Sequence, residues 1–241
     1  GDEIENTILD YAEVKALAVG NPLIKERVEM YNELTRFTTL QRRLVESRMA
    51  LEQEFMSLPG KIANQKEAIR KCEEDSLFYE AVRKQYADEE NRDKEKVAEE
   101  RKKMRVYLDV ALKNNILAQK EKVLTEYMGY KIVLPANMTP EKPYIWLERE
   151  GRYKVELGNT EIGNLVRIDH YLESLPDHLA DLKNGLFRFI SREEDIEAEL
   201  KKEMSYVDEI ETCRNKLAEI DNDFVKNKNA HRVFANVFKD F

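Results

Sequence analysis

Apolar residues recur in steps of three and four between Asn21 and Leu58, at Ile24, Val28, Tyr31, Leu34, Phe37, Leu40, Leu44, Leu51, Phe55 and Leu58. That spacing holds them on one face of a helix, and its near-heptad repeat is that of a coiled-coil seam. A helix of this length spans about 55 Å and needs a partner for its stripe. Asn21-Pro22 supplies the start, with Asn as N-cap and Pro in the first turn. Leu58-Pro59-Gly60 predicts the stop, because proline disfavours helix before it and glycine permits a tight turn. Ile62, Ala63, Ile69, Cys72, Tyr79, Val82 and Tyr86 then continue helical spacing, which predicts a chain folding back as an antiparallel hairpin. Gln65 and Ser76 sit where apolar residues are expected, so a third element has to share the cover.

Upstream, Ile8 to Val19 reads as a short helix with Thr7 and Asp10 near its start and Gly20 as its stop. Downstream, Ala87 to Lys103 is almost wholly charged with mixed signs, the pattern of a solvated helix, with a break expected at Asn91–Asp93. Val97, Met104, Leu108, Ala111 and Leu112 resume an amphipathic helix expected to run, with interruptions, to Tyr127. Three short strands follow: Tyr130 to Leu134, Tyr144 to Leu147 and Tyr153 to Leu157, the last two joined through Glu148–Arg152. From Gly158-Asn159-Thr160 helical spacing returns at Ile162, Leu165, Val166, Asp169 and Leu172, then at Leu175, Leu179, Leu182 and Leu186, with Pro176 as a kink or restart. Ser191-Arg192-Glu193-Glu194 has the form of a capping box. It precedes a second coiled-coil-grade stripe, Ile196, Leu200, Met204, Val207, Ile210, Leu217, Ile220 and Phe224. The tail, with Phe234, Val237, Phe238 and Phe241, is either a docking helix or a frayed end.

Composition sharpens this picture. Charged residues make up 37% of the 241 and hydrophobic residues 42%, with 8 Gly and 6 Pro, the balance of long solvated helices. The formal net charge of −8 argues against a general nucleic-acid-binding surface but leaves room for a local basic strip. No apolar run approaches membrane-spanning length and no signal-peptide layout opens the chain. Gly1 in place of Met suggests an excised fragment.

The chemistry of familiar active sites is missing from these letters. Cys72 and Cys213 fall on apolar helix faces, as buried thiols do. His170, His178 and His231 lie far apart, without a ligand at metal spacing. There is no phosphate-cradling glycine loop, G-x-S-x-G, H-E-x-x-H or paired C-x-x-C. Asn21-Pro22-Leu23-Ile24 approaches the Asn-Pro-Pro-Tyr loop of adenine methylases only in its first two letters, and it opens a helix. Asp88-Glu89-Glu90 follows no apolar strand, so it cannot present a carboxylate as a helicase motif does. No catalytic, cofactor-binding or metal-binding residue is therefore assigned. The candidates for nucleic-acid contact are two basic clusters, Arg36, Arg42, Arg43 and Arg48, and Arg101, Lys102, Lys103 and Arg105. Guanidinium planes clamp phosphates well. Their neighbours Glu33, Glu46, Glu99 and Glu100 favour the plainer reading of solvated, mixed-charge faces. Tyr130, Tyr144, Trp146 and Tyr153 form either a base-stacking platform or the core of the small sheet.

Three stretches together resemble one family. Tyr11 to Ile24, read as YAEVKALAVGNPLI, is similar to the segment opening the C-terminal region of very large helicase–methylase proteins of phage and conjugative elements. Those proteins carry a SNF2-like helicase, often with an adenine-specific DNA methylase. Met128-Gly129-Tyr130-Lys131-Ile132 resembles the family's Gly-aromatic strand. Gly163-Asn164-Leu165-Val166-Arg167-Ile168-Asp169 resembles its Gly-Asn-x-x-Arg-Ile/Leu-Asp motif. The similarity runs by motif order from Ile8 to Leu217, and the charged stretch Ala87–Lys103 departs from it. The motif residues are Gly20, Asn21, Pro22, Gly163, Asn164, Arg167 and Asp169. The resemblance implies a coiled-coil accessory region of a bacterial, cytoplasmic DNA-processing enzyme, and it brings over no catalytic residue.

The expected architecture is mainly α: a long antiparallel coiled-coil hairpin and a helical bundle, with a small three-stranded antiparallel sheet inserted. Its parts are a short helix and linker (1–20), the hairpin with a third helix (21–127), the sheet (128–158) and C-terminal helices (159–241). The expected role is a non-catalytic module positioning DNA or neighbouring domains. The alternative is a protein–protein or self-association scaffold without DNA contact. Candidate partners are the other domains of the parent protein, DNA and a second copy, with neither cofactor nor membrane.

Overall fold

The computed structural model describes residues 21–158 and 163–237, with side chains of the last helix described as far as 226. The expected helix at Ile8–Val19, Gly20, Ile162 and the aromatic tail side chains lie outside these. Asn21 starts the first helix as expected: its side-chain oxygen accepts from the Leu23 N–H at 3.0 Å, and Pro22 takes the first helical position.

Helix α1 (Pro22–Arg92) then continues through Pro59 and Gly60 without a turn. The expected hairpin is therefore replaced by one 71-residue helix. The physical reason is the phase of the stripe. Phe55, Leu58, Ile62, Gln65, Ile69, Cys72, Ser76 and Tyr79 stay in steps of three and four across the Pro-Gly pair, so stopping there would break a continuous face that is buried or half-buried throughout. Leu58 is buried, while Pro59 and Gly60 face solvent.

After the break expected near Asn91–Asp93, α2 (Lys94–Asn114) starts on Asp93, whose carboxylate caps the Lys96 N–H. The charged stretch is helical and, Val97 apart, largely exposed. The chain then forms β1 (Lys122–Tyr127), β2 (Tyr130–Leu134), β3 (Tyr144–Glu148) and β4 (Arg152–Glu156). The sheet has four antiparallel strands in the order β1-β2-β3-β4, not three. The helix expected up to Tyr127 ends instead at Asn114. Asn115 is buried and donates its side-chain amide to the Pro135 carbonyl at 3.1 Å, and Leu117 takes a left-handed φ of 59°. Helices α3 (Asn164–Glu173), α4 (Leu175–Lys201) and α5 (Val207–Val237) complete the chain. Pro176 lies in the first turn of α4, the restart position. The expected capping box at Ser191–Glu194 lies inside α4. No Gly or Pro follows it to halt the helix, which ends only at Lys201.

Residue contacts divide the chain into two compact units, Gly1–Met56 with Glu194–Phe241, and Ser57–Glu193. In the first, the early stripe of α1 finds its cover. Arg27 pairs with Asp221 at 2.8 Å, Phe37 packs on Tyr206, and Arg48 reaches the carbonyls of Leu200 and Lys202 at 2.9 and 3.0 Å. The falling numbers mark an antiparallel partner, the segment from Ile196 through Phe224. Ile196, Ile210, Cys213, Leu217 and Ile220 are its buried positions. The two stripes legible in the sequence are thus each other's partners.

In the second unit the core gathers Cys72, Phe78 and Tyr79 of α1, Leu108 and Leu112 of α2, and one sheet face. Tyr130, Ile132, Leu134, Ile145, Leu147 and Val155 supply that face, and Ile168, Leu172 and Leu175 close the core. The sheet and α3 are the third cover that the imperfect seam of α1 required. Gln65 is accommodated because its amide donates to the Leu182 carbonyl at 2.9 Å, where α4 comes close at Gly185.

Candidate functional site

Two polar constellations lie within the second unit, and each joins elements distant in sequence. The first centres on Asp75, a fully buried carboxylate on α1. It receives the backbone N–H groups of Glu150 and Gly151 at 3.1 and 2.8 Å. Arg149 donates at 3.0 Å and the Tyr153 hydroxyl at 2.5 Å. The Asp75 carbonyl also accepts from the Tyr130 hydroxyl at 2.5 Å. Four donors aimed at one carboxylate are what a buried charge requires.

The donors belong to the β3–β4 turn, which makes Asp75 a clamp between α1 and that hairpin. Gly151 is required there, since a side chain would run into the Tyr153 hydroxyl. Arg149 lies over the Phe78 ring at 3.8 Å. Burial, then the hydrogen bond to Asp75, pushes the Tyr153 phenol far above its ordinary value, and burial does the same for Tyr130. Sequence reasoning did not single out Asp75. The available signal was a pair of polar residues, Asp75-Ser76, interrupting an apolar stripe.

The second constellation joins α2, β1 and α3. Arg101 donates to Asp169 at 2.6 Å and to the Tyr127 hydroxyl at 3.2 Å, and Tyr127 in turn donates to Asp169. Burial alone would lower the guanidinium's proton affinity, but the Asp169 hydrogen bond and charge outweigh it and raise it. Burial, then the bond to Asp169, raises that of Tyr127. Two sequence candidates from different groups, Arg101 and Asp169, therefore meet here.

The other candidates scatter. Arg36 pairs with Glu33 at 2.7 Å and covers Phe37. Arg48 caps the end of α4. Arg42, Arg43, Lys102, Lys103 and Arg105 are exposed. Asn21 and Pro22 start α1. Gly163 is the N-cap of α3, and Asn164 accepts from the Gly158 N–H at 3.1 Å while donating to Asp109 at 3.3 Å. Arg167 borders an open cleft of about 450 Å³ with Lys154, Glu156, His170 and Tyr171.

The four sheet aromatics split by pleat. Tyr130 and Tyr153 face the core, while Tyr144 and Trp146 lie on the opposite face beneath Lys154 and Arg152, at 4.4 and 4.6 Å from the ring centres. Glu156 and Glu148 pair across the strands with Tyr144 and Arg152 on that same face, which leaves no excess of positive charge for phosphates. Among the described residues no three His, Cys, Asp or Glu side chains gather to hold a metal ion, and no helix is long and apolar enough to cross a membrane. Cys72 and Cys213 are buried free thiols. Comparison with protein-family models, curated proteins and solved structures finds no match to this chain.

Proposed function

We propose that this chain is a non-catalytic accessory module that positions neighbouring protein domains. The setting is a bacterial, cytoplasmic DNA-processing protein of the helicase–methylase kind that its motif stretches resemble. The observation that carries the reading is where the charge goes. The Asp75 carboxylate is filled by four donors from its own chain, and Arg101, Tyr127 and Asp169 satisfy one another. Groups held in this way rigidify a fold, and the Asp75 carboxylate, with two donors on each oxygen, has no lone pair left to offer a substrate. Arg36 and Arg48, half of the first basic cluster, are likewise engaged internally.

A DNA-contacting version rests on the exposed remainder, Arg42, Arg43, Lys102, Lys103 and Arg105. Titration of a fluorescent duplex at low salt separates the versions. The protein-positioning reading expects no salt-sensitive binding. Saturable binding that weakens steeply with salt and is lost in Arg42→Gln/Arg43→Gln would establish the DNA version. Sedimentation across a concentration series tests self-association, and a concentration-dependent dimer would move the reading toward a homotypic scaffold.

A further inference from the structure

Helix α2 carries two apolar stripes, and the core uses one. Val97, Leu108 and Leu112 are buried. Val106, Tyr107 and Val110 point to solvent, with 52%, 50% and 52% of their surfaces exposed. Their spacing makes a short ridge along the helix. A predominantly apolar shallow cleft of about 460 Å³ lies along it, bounded at one end by Lys102, Lys103 and Glu99. A second hollow of about 220 Å³ continues it from Tyr107 and Val110 to Leu124 and Lys122 of β1.

Lys102, Lys103 and Lys122 make no ion pair among the described residues, whereas many other charged residues of the chain are paired. In a chain of net charge −8, this apolar ridge is framed by three lysines and one facing carboxylate.

We propose that this face of α2 docks an acidic amphipathic helix of a partner protein. The inference rests on the positioning role and names the chemistry of its partner. The apolar ridge covers the partner's apolar face, as in helix-in-groove recognition, and the lysine frame selects glutamate and aspartate flanks over basic ones. A polyanion such as DNA would meet two valines and a tyrosine ring at the centre of the face, with the lysines only at its rim.

The test uses the full chain and three fluorescein-labelled peptides of equal length. One is an amphipathic helix with Leu and Glu at i, i+3 and i+4 positions. The second has the same composition with its periodicity scrambled, and the third has Lys in place of Glu. Anisotropy should show the acidic helix binding at about 10–100 µM, roughly tenfold or more tighter than either control. Val106→Asp/Val110→Asp should abolish that preference, and Lys102→Glu/Lys103→Glu should invert it toward the basic peptide. All four positions are exposed, so circular dichroism and Tm stay as in the parent chain.

Equal binding of the three peptides, no binding, or retention of the preference in both variants would overturn the assignment. Displacement of the peptide by DNA, or by self-association through this face, would overturn it as well. Failure here with no duplex binding would remove α2 as the docking face and leave the positioning reading to its own titration.

Discussion

The backbone N–H of Gly151 donates to the Asp75 carboxylate at 2.8 Å, joining the β3–β4 turn to the C-terminal third of α1. The same carboxylate is fully buried and holds Arg149, which is itself mostly covered. Asp75→Asn keeps the shape but removes the charge and turns an NH2 toward groups that are already donors. Removing one partner of a buried charge pair leaves the other uncompensated. The expected loss is about 2–4 kcal/mol, read from urea denaturation. A loss under about 1 kcal/mol would show that the clamp contributes little.

Gly151 is held to hydrogen as its side chain by the Tyr153 ring, whose Cζ lies 2.7 Å from where a Cβ would be. Gly151→Ala should destabilise by about 1–3 kcal/mol, the usual cost of overpacking. Tyr153→Leu removes the ring tip. In a double-mutant cycle the pair should therefore cost less than the sum of the singles, with a coupling of about 1 kcal/mol or more. Strict additivity would rule out the close approach.

Pro59 and Gly60 give the sharpest test of the helix that replaces the hairpin. An interior proline and glycine weaken a helix, and nothing stands within 4 Å of a Cβ placed at Gly60. Gly60→Ala should raise stability by about 0.5–1 kcal/mol, and Pro59→Ala should raise it further. If these residues formed a turn, both substitutions would lower Tm.

That contrast shows where the sequence was legible. Much of the element order came through: the first stripe, Asn21-Pro22 as a start, the break at Asp93 and strands β2, β3 and β4 were readable. The second stripe, expected unbroken from Ile196 to Phe224, is instead interrupted between Lys201 and Val207, with Met204 exposed. The partner of α1 was not, because a stripe states that it must be covered and not by which segment. Pro59-Gly60 then outweighed the unbroken phase across it, a local stop signal set against burial of Leu58. Strand β1 escaped because the register shifts between Val123 and Thr125, and this bulge erases the alternation that marks a strand. Its turn, Met128-Gly129, has positive φ at both residues, the two-residue hairpin geometry. Of the candidate residues, Arg101 and Asp169 do sit in one cluster. Asp75 was masked because, among 48 acids, its only mark is that it stands with Ser76 in an apolar stripe.

Alkaline pH should unfold the chain through its phenols. Burial and carboxylate hydrogen bonds raise the proton affinity of Tyr127 and Tyr153, burial chiefly that of Tyr130, and burial lifts Tyr171 to about 12. Below the ordinary phenol value of about 10, folded and unfolded chains both keep these protons and the contribution is whole. Above it the unfolded chain releases them first, so stability falls as pH rises toward the folded values. Burial also raises the Cys72 thiol, so urea midpoints should begin to fall between about pH 8 and pH 9 and drop further beyond about pH 10. Tyr153→Phe should flatten that drop. A midpoint unchanged at pH 11 would contradict the arrangement.

The central claim is that Arg101 and Asp169, which the sequence offers as candidate site residues, hold α2, β1 and α3 together. Equilibrium unfolding of Arg101→Gln, beside Lys102→Gln/Lys103→Gln, tests it most directly. Arg101 bonds both Asp169 and Tyr127, so its loss should cost about 1–3 kcal/mol. The exposed lysine pair should stay within about 0.5 kcal/mol of the parent chain. Arg101→Gln unfolding at the parent's urea midpoint would contradict the account.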